Sequence, residues 1–344
     1  MTRRSLLHML ALGTGVAIAR PARADRIRIL PEVRAGEAPS GGGPPIGSDL
    51  RRFLEGVRVG ERRTHGGLTV FWLHGPGGAA PFTIRTLDEA RARRELQVTE
   101  RDQATVSALV VENRGSVHVL LLAGEILQGG KQNRIVLEDV LVPPRSGPLT
   151  LPVYCVEQGR WVGDSKAFAP REILAAPQLR AKMLERSEQH EVWAEVDRYA
   201  KRAGAPSATG SYVAIHDKAE VQAHQKDVEA AIGGKIVPGA QGAAVFVADR
   251  FVGVDLFQDG SLFAREWPKL LRAGTIESYG RKVDDKIDER GLRAHVEELL
   301  KSSAGADGAV RRGVGVGWLV EFRLSRSRGS ALVAESQVVH AAIL

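Results

Sequence analysis

The chain has 344 residues, with 48 basic against 41 acidic side chains, and its 43% hydrophobic and 26% charged content is that of a folded protein long enough to bury a substantial core. One cysteine excludes an intrachain disulfide framework and a multi-cysteine metal or iron–sulfur cluster. The formal charge of +7 falls to +3 once the four arginines of residues 1–24, a stretch with no acid, are set aside, so no nucleic-acid partner is expected.

Arg3 and Arg4 precede a modestly apolar stretch, Leu6–Ala19, interrupted by Gly13 and Gly15 and followed by the small-x-small pattern Ala22-Arg23-Ala24. A membrane span needs about twenty continuous apolar residues, which this stretch lacks, so no permanent span is expected. Thr-Arg-Arg-Ser-Leu-Leu resembles a bacterial twin-arginine signal, which places residues 1–24 outside the fold and the remainder in the periplasm or outside the cell. Residues 25–49, rich in Gly, Pro and Ser over 35–48, read as a flexible leader or linker.

From Leu68 the apolar runs are short and frequent. Leu68–Leu73, Thr105–Val111, Val117–Leu122 and Leu149–Val156 have the β-branched and aromatic content of strands, with a short helix at Leu87–Arg94 and a hairpin turn at Asn113-Arg114-Gly115. Pro177 suits a first helical turn, and Leu179, Met183, Trp193, Val196 and Tyr199 continue an apolar stripe to Gly204. Val221, Val228 and Ile232 predict another helix, closed by Gly233-Gly234. Ala243–Ala248 and Phe251–Phe257 predict a hairpin across Asp249-Arg250. Helices are expected at Leu262–Ala273, limited or kinked by Pro268, and at Val283–Leu300, with closing strands at Val314–Leu324 and Ala331–Leu344. This order lacks regular βαβ alternation. It predicts an α+β fold, a strand-rich N-terminal half followed by a mixed helical and strand half, spanning 50–344 as one domain or as two packed lobes divided near 165–175.

The densest polar segment runs from Gly124-Glu125 to Gly130-Lys131-Gln132-Asn133-Arg134. Its glycines permit close backbone approach, Lys131 is a mobile positive point, and Arg134 is a planar donor fork. Gln132 and Asn133 both donate and accept, which suits a sugar, an amide or a base edge; a glycine-rich turn with a solvated charged crown explains the same letters. The segment is not a nucleotide P-loop, because Glu125 stands where the opening glycine belongs and Gln132 where Ser or Thr would hold magnesium. A second cluster follows at Cys155-Val156-Glu157-Gln158-Gly159-Arg160-Trp161. Glu157 either pairs with Arg134 or Arg160 or accepts a ligand proton, and Trp161 either stacks on a planar group or packs beneath the loop. Cys155 has no histidine near it in sequence and reads as a small buried residue. Neither the histidines nor Asp249, Asp255 and Asp259 have metal-ligand spacing, so no metal or other cofactor is expected. Arg186, Gln189 and Trp193 fall on one side of the expected helix, either facing the strands with polar groups or lying at the margin of a core.

The two polar clusters in series resemble the ARPP-1 family, a domain of unknown function associated with ADP-ribosylglycohydrolase and rhodanese–phosphatase proteins. The resemblance covers roughly 50–344, is sharpest over 99–161, and includes looser matches at Gln189, Trp193 and Val339-His340. It implies that Glu125, Lys131, Gln132, Asn133, Arg134, Glu157, Gln158, Arg160 and Trp161 share a surface or a structural centre. The expectation drawn from it is an exported domain in which Lys131, Gln132, Asn133, Arg134, Gln158, Arg160 and Trp161 bind a polar, anionic or glycan-like small molecule. One alternative is a hydrolase acting on a nucleotide-sugar or ADP-ribose-related substrate, with Glu125 or Glu157 as general acid or base. The other is a structural domain that contacts a protein partner.

Overall fold

The computed structural model describes residues 46–78, 80–163, 165–281 and 288–344; the expected signal at 1–24 and the leader up to residue 45 lie outside the described residues. The fold is α+β, with seventeen strands and eight helices among the described residues.

An eight-stranded antiparallel sheet takes its first two strands, Arg58–His65 and Leu68–His74, from the N-terminal part. The remaining six come from the C-terminal part: Gly242–Val247, Arg250–Leu256, Gln337–Ile343, Arg328–Ala334, Trp318–Arg323 and Gly308–Arg312, in that spatial order. Strand Leu68–His74 is apolar throughout because both faces of this sheet are covered. Leu68, Val70 and Trp72 pack with Phe263, Trp267 and Leu270 of helix Gly260–Ser278. Phe71 and Leu73 point the other way, to helices Ile46–Glu55 and Glu289–Ala304 through Phe53, Leu54, Val296 and Leu300.

Between those two contributions the chain builds a six-stranded sheet in the order Phe168–Leu174, Glu125–Gly129, Arg134–Val136, Leu149–Cys155, Ala108–Asn113, Leu96–Glu100. Thr99 bridges Ala167, beside the opposite end strand, so the sheet curls toward closure. Its interior is filled by Val98, Leu109, Val111, Leu127, Val136 and Phe168, which meet Val119, Leu121, Val140 and Val142 from a three-stranded sheet of Ile84–Thr86, His118–Leu121 and Val140–Val142.

Several expected elements differ in instructive ways. Asn113-Arg114-Gly115 is no hairpin, because strands Ala108–Asn113 and His118–Leu121 belong to different sheets. Buried Asn113 sustains the departure: its amide donates to the carbonyls of Val117 (2.8 Å) and Pro143 (2.9 Å), and its side-chain oxygen accepts the Gly115 amide (2.9 Å). The stripe from Pro177 to Gly204 is two helices, Pro177–Leu184 and Gln189–Ala203, broken where Arg186 takes a positive φ of 50° and Glu188 with Glu191 forms a capping box. Arg186 therefore does not share a helical face with Gln189 and Trp193. Its guanidinium reaches Glu138 at 3.2 Å and Glu321 at 3.0 Å instead.

The hairpin of Gly242–Val247 and Arg250–Leu256 turns at Ala248-Asp249, one residue earlier than expected. Pro268 does not end its helix, which runs unbroken over Gly260–Ser278 with the adjacent Trp267 wedged 4.6 Å from the Trp72 ring. The last expected strand is a hairpin, Arg328–Ala334 and Gln337–Ile343, turned by Glu335 and Ser336, both at positive φ.

Candidate functional site

The two polar clusters do meet. Strands Glu125–Gly129 and Arg134–Val136 pair as a hairpin whose turn holds Gly130, Lys131, Gln132 and Asn133, and Cys155 lies opposite Arg134 on the next strand. Gly130 sits at φ 48°, and a Cβ there would fall 2.4 Å from the Phe168 ring and 2.5 Å from a Glu100 oxygen, so only glycine lets the turn lie this close to the end of the curled sheet.

Glu157 locks the junction. One carboxylate oxygen accepts the Asn133 amide at 3.0 Å and Arg160 Nε at 2.9 Å, while the other accepts the Thr209 hydroxyl at 2.8 Å. Arg160 spends its remaining donors on the carbonyls of Gly130 (2.8 Å) and Gly129 (3.3 Å) and on the Asn133 side-chain oxygen (3.2 Å). Gln132 donates to the Glu157 carbonyl at 3.1 Å, and Asn133 to the Ser211 hydroxyl at 3.1 Å. Arg134 is wholly buried, donating to the Gln132 carbonyl at 3.0 Å with Glu100 at 3.8 Å. Burial works to raise the Glu157 pKa, but the bonds from Arg160, Thr209 and the Asn133 amide outweigh it and hold the carboxyl below its ordinary value.

The residues expected to bind ligand are thus bonded largely to one another and buried, although Arg134 Nε has no partner: Glu157 is 5% exposed, Gln132 5%, Asn133 3% and Arg134 0%. Only Gln158, Lys131 and Trp161 face outward, with the Lys131 ammonium 5.2 Å from the Trp161 ring centre and Trp161 45% exposed. Cys155 is buried, and burial pushes its thiol pKa up, away from the thiolate that a nucleophile needs. Gln189 caps the same strand end from the side, accepting the Cys155 amide (2.9 Å) and donating to its carbonyl (2.8 Å) as a neighbouring strand would. Replacing Glu157 with alanine strands three donors at once and is expected to lower stability by about 2 kcal/mol. Urea unfolding measures this, and a loss under about 0.5 kcal/mol would show that the clamp does not hold the junction.

Glu125 belongs elsewhere. It begins the strand whose far end Arg160 grips, and it forms a buried cluster with Asp88, Glu266 and Lys269. The Lys269 ammonium touches Glu125 and lies 2.7 Å from Asp88 and 2.9 Å from Glu266. Burial drives the Glu125 pKa up to about 8, with Lys269 opposing and the neighbouring carboxylates reinforcing. Alongside runs a second buried chain. Arg180 makes a two-pronged pair with Asp255 (3.0 and 2.6 Å), Asp255 accepts His340 Nε2 at 3.1 Å, and His340 Nδ1 meets Asp139 at 2.6 Å. Burial acts to lower the His340 pKa, but Asp139 and Asp255 outweigh it and hold the imidazole protonated up to about 9.

Of these eight residues, the residue reading brought forward only Glu125 as a site candidate and His340 as a looser match. Of the other six, Asp139 and Asp255 stand as charges inside apolar runs, Ile135-Val136-Leu137-Glu138-Asp139-Val140 and Val252-Gly253-Val254-Asp255-Leu256-Phe257, whereas Asp88, Arg180, Glu266 and Lys269 lie among other polar residues and carry no such signal. A space of about 10 Å³ adjoins Arg180 and Asp255, room for one water and no more. The network is a buried polar centre.

Open space lies instead on the outer side of the locked turn. A groove of about 480 Å³ runs between Gln158, helix Gln189–Ala203 and the loop 204–210, with Trp193, Val196 and Ala200 along its helical wall and Ser207, Asp197 and Lys201 among its polar lining. Loop 204–210 is held against the clamp by the Gly159 amide, which donates to the Thr209 carbonyl at 2.8 Å, as well as by the Thr209–Glu157 bond.

The fold and these centres define an α+β domain organised around two buried polar assemblies, one knitting a curled sheet to its turn and one joining that sheet to the eight-stranded one. The chain belongs to the ARPP-1 family, the ARG and Rhodanese-Phosphatase-superfamily-associated Protein domain, whose model matches residues 56–344. No curated protein and no solved structure matches it.

Proposed function

We propose that this chain is an exported binding domain, and that its ligand site is the groove beside Gln158 rather than the sealed residues 132–134. The carrying observation is that the Glu157–Arg160 clamp presents Gln158 at the edge of an accessible groove whose opposite wall holds Trp193. The Trp193 indole nitrogen is buried without a hydrogen-bond partner, and the residue lines the groove. A flat aromatic wall with amide, hydroxyl and paired Asp197–Lys201 groups around it suits a glycan-like ligand, which offers both C–H faces and hydroxyls.

The hydrolase reading draws little support from these positions. Glu157 is held below its ordinary pKa and its oxygens are occupied, while Glu125 is buried, raised in pKa and bound to Lys269. A protein partner is the second reading, favoured by Trp161 and Val162, which stand 45% and 71% exposed next to Lys131.

Titrating residues 25–344 with cell-wall disaccharide and chitotriose fragments, followed by intrinsic tryptophan fluorescence and calorimetry, tests the groove. Trp193→Ala is expected to weaken binding by about tenfold or more while Trp161→Ala leaves it unchanged. The reverse pattern would move the contact to the exposed tip, and no saturable binding of either fragment would reject the glycan assignment. Export rests on the Arg3-Arg4 leader. Lysine at both positions should retain the chain in the cytoplasm, and mass spectrometry of the periplasmic form should find Asp25 at its N-terminus.

A further inference from the structure

We infer a second site, for a phosphate-bearing ligand, at the end of the hairpin formed by strands Trp318–Arg323 and Arg328–Ala334. Arg323 and Arg328 are direct cross-strand partners, so their side chains leave the same face of the sheet side by side. Like charges placed directly opposite one another destabilise a strand pair, and the connecting turn adds a third arginine, Arg326, rather than an acid. The turn is itself ordered, with the Leu324 amide donating to the Ser327 carbonyl at 2.8 Å.

Around this end lies a pocket of about 370 Å³, lined by the three arginines, Ser325 and Ser327. Glu185 is the one acidic side chain in its lining and stands 3.9 Å from Arg328, and the Leu344 carboxylate lines it as well, while Arg323 and Arg326 make no ion pair among the described residues. Arg328 is also fixed from behind, its backbone amide and carbonyl both bonded to Leu344 at 2.9 Å. The arrangement is one guanidinium facing a carboxylate and two exposed ones, with two serines in the same turn. Guanidinium forks and hydroxyls match the tetrahedral oxygens of a phosphate, and an anion bound beside Arg323 and Arg326 would offset the charge these two leave unpaired. This contrasts with Arg134, Arg160, Arg180 and Arg311, each of which is paired with a carboxylate.

A phosphate ester can come from a free metabolite or from a lipid headgroup, and the two are separated by probe. Residues 25–344 would be titrated with glycerol 1-phosphate by calorimetry and, in parallel, sedimented with phosphatidylglycerol or phosphatidylcholine vesicles at fixed ionic strength. Saturable binding of glycerol 1-phosphate assigns the site to a soluble ester. Binding confined to phosphatidylglycerol vesicles assigns it to a membrane surface.

In either case Arg323→Gln with Arg326→Gln should weaken binding by about tenfold or more, from the loss of two charge-assisted contacts. Arg101→Gln with Arg290→Gln removes the same charge from exposed positions elsewhere and should change it less than about twofold. An equal loss in both double variants would reduce the effect to net charge and overturn the site, as would the absence of binding to both probes. All four positions are exposed, so near-identical melting temperatures are expected and confirm that folding is intact.

Discussion

Replacing Arg180 with methionine is expected to cost the fold about 3–5 kcal/mol, because it leaves a buried carboxylate without its principal partner. Arg180 is almost wholly buried and grips both oxygens of Asp255, while its Nε donates to the Ala123 carbonyl at 3.2 Å. One side chain thereby joins helix Pro177–Leu184, the eight-stranded sheet and the start of the curled sheet. Burial acts to raise the Asp255 pKa, but Arg180 and then His340 outweigh it and hold the carboxyl well below the ordinary carboxylate range. The same coupling predicts a partial rescue. Adding Asp255→Asn to Arg180→Met removes the stranded charge and should recover about half of the loss, although His340 then loses one acceptor. Denaturant unfolding of both variants measures this. A single-variant loss below about 1 kcal/mol, or a double variant no better than the single one, would mean that the pair does not hold the sheets together.

How far this arrangement was readable from the letters depends on the range of the interactions. Strand Leu68–His74, the helix start at Leu87, the Pro177 start and the Gly233 stop are local signals, and each appears where its periodicity or end chemistry places it. Short strands such as Arg134–Val136 and Val140–Val142 carry too few residues for a period to register. Strand Arg58–His65 is charged and sits at a sheet edge, so its pattern of exposure does not resemble a core strand.

The site shows the same divide. That 130–134 and 157–161 belong together was legible from their concentration of polar residues and from the family resemblance. The Glu157–Arg160 pair was one of the alternatives open in the letters; the arrival of Thr209 and Ser211 from a distant loop to complete the shell was not. Glu125 stands one glycine into the same polar segment, but a strand separates its side chain from the clamp and places it opposite Lys269, 144 residues away. Sequence adjacency grouped it with the wrong partners.

Stability should fall as pH rises from 6.5 to 9, by on the order of 3 kcal/mol from His340 alone. The sign follows from the direction of each shift. His340 is held protonated to about 9 in the fold against an ordinary value of 6.5, so its contribution is complete below 6.5 and disappears as pH passes through 9. Glu125, raised to about 8 from 4.5, acts in the same sense over a lower window, because the folded state keeps a proton that the unfolded chain releases from about pH 4.5 upward. On the acid side His216 opposes them. Burial lowers its pKa to about 3, so the unfolded chain takes up a proton first and stability declines below 6.5. Between about pH 4.5 and 6.5 the His216 gain and the Glu125 loss offset one another, so these groups leave stability level there, with a steeper decline toward alkali, where Glu125 and His340 act together.

Glu125→Gln separates the contributions. Glutamine cannot ionise, so urea midpoints for this variant should decline less than wild type between pH 6.5 and 8, while the His340 decline between 8 and 9 persists in both. Wild-type midpoints that stay level from pH 6.5 to 9 would contradict the protonated His340–Asp139–Asp255 chain itself. A variant that tracks wild type across the whole range would instead place the titrating proton away from Glu125 and its contact with Lys269.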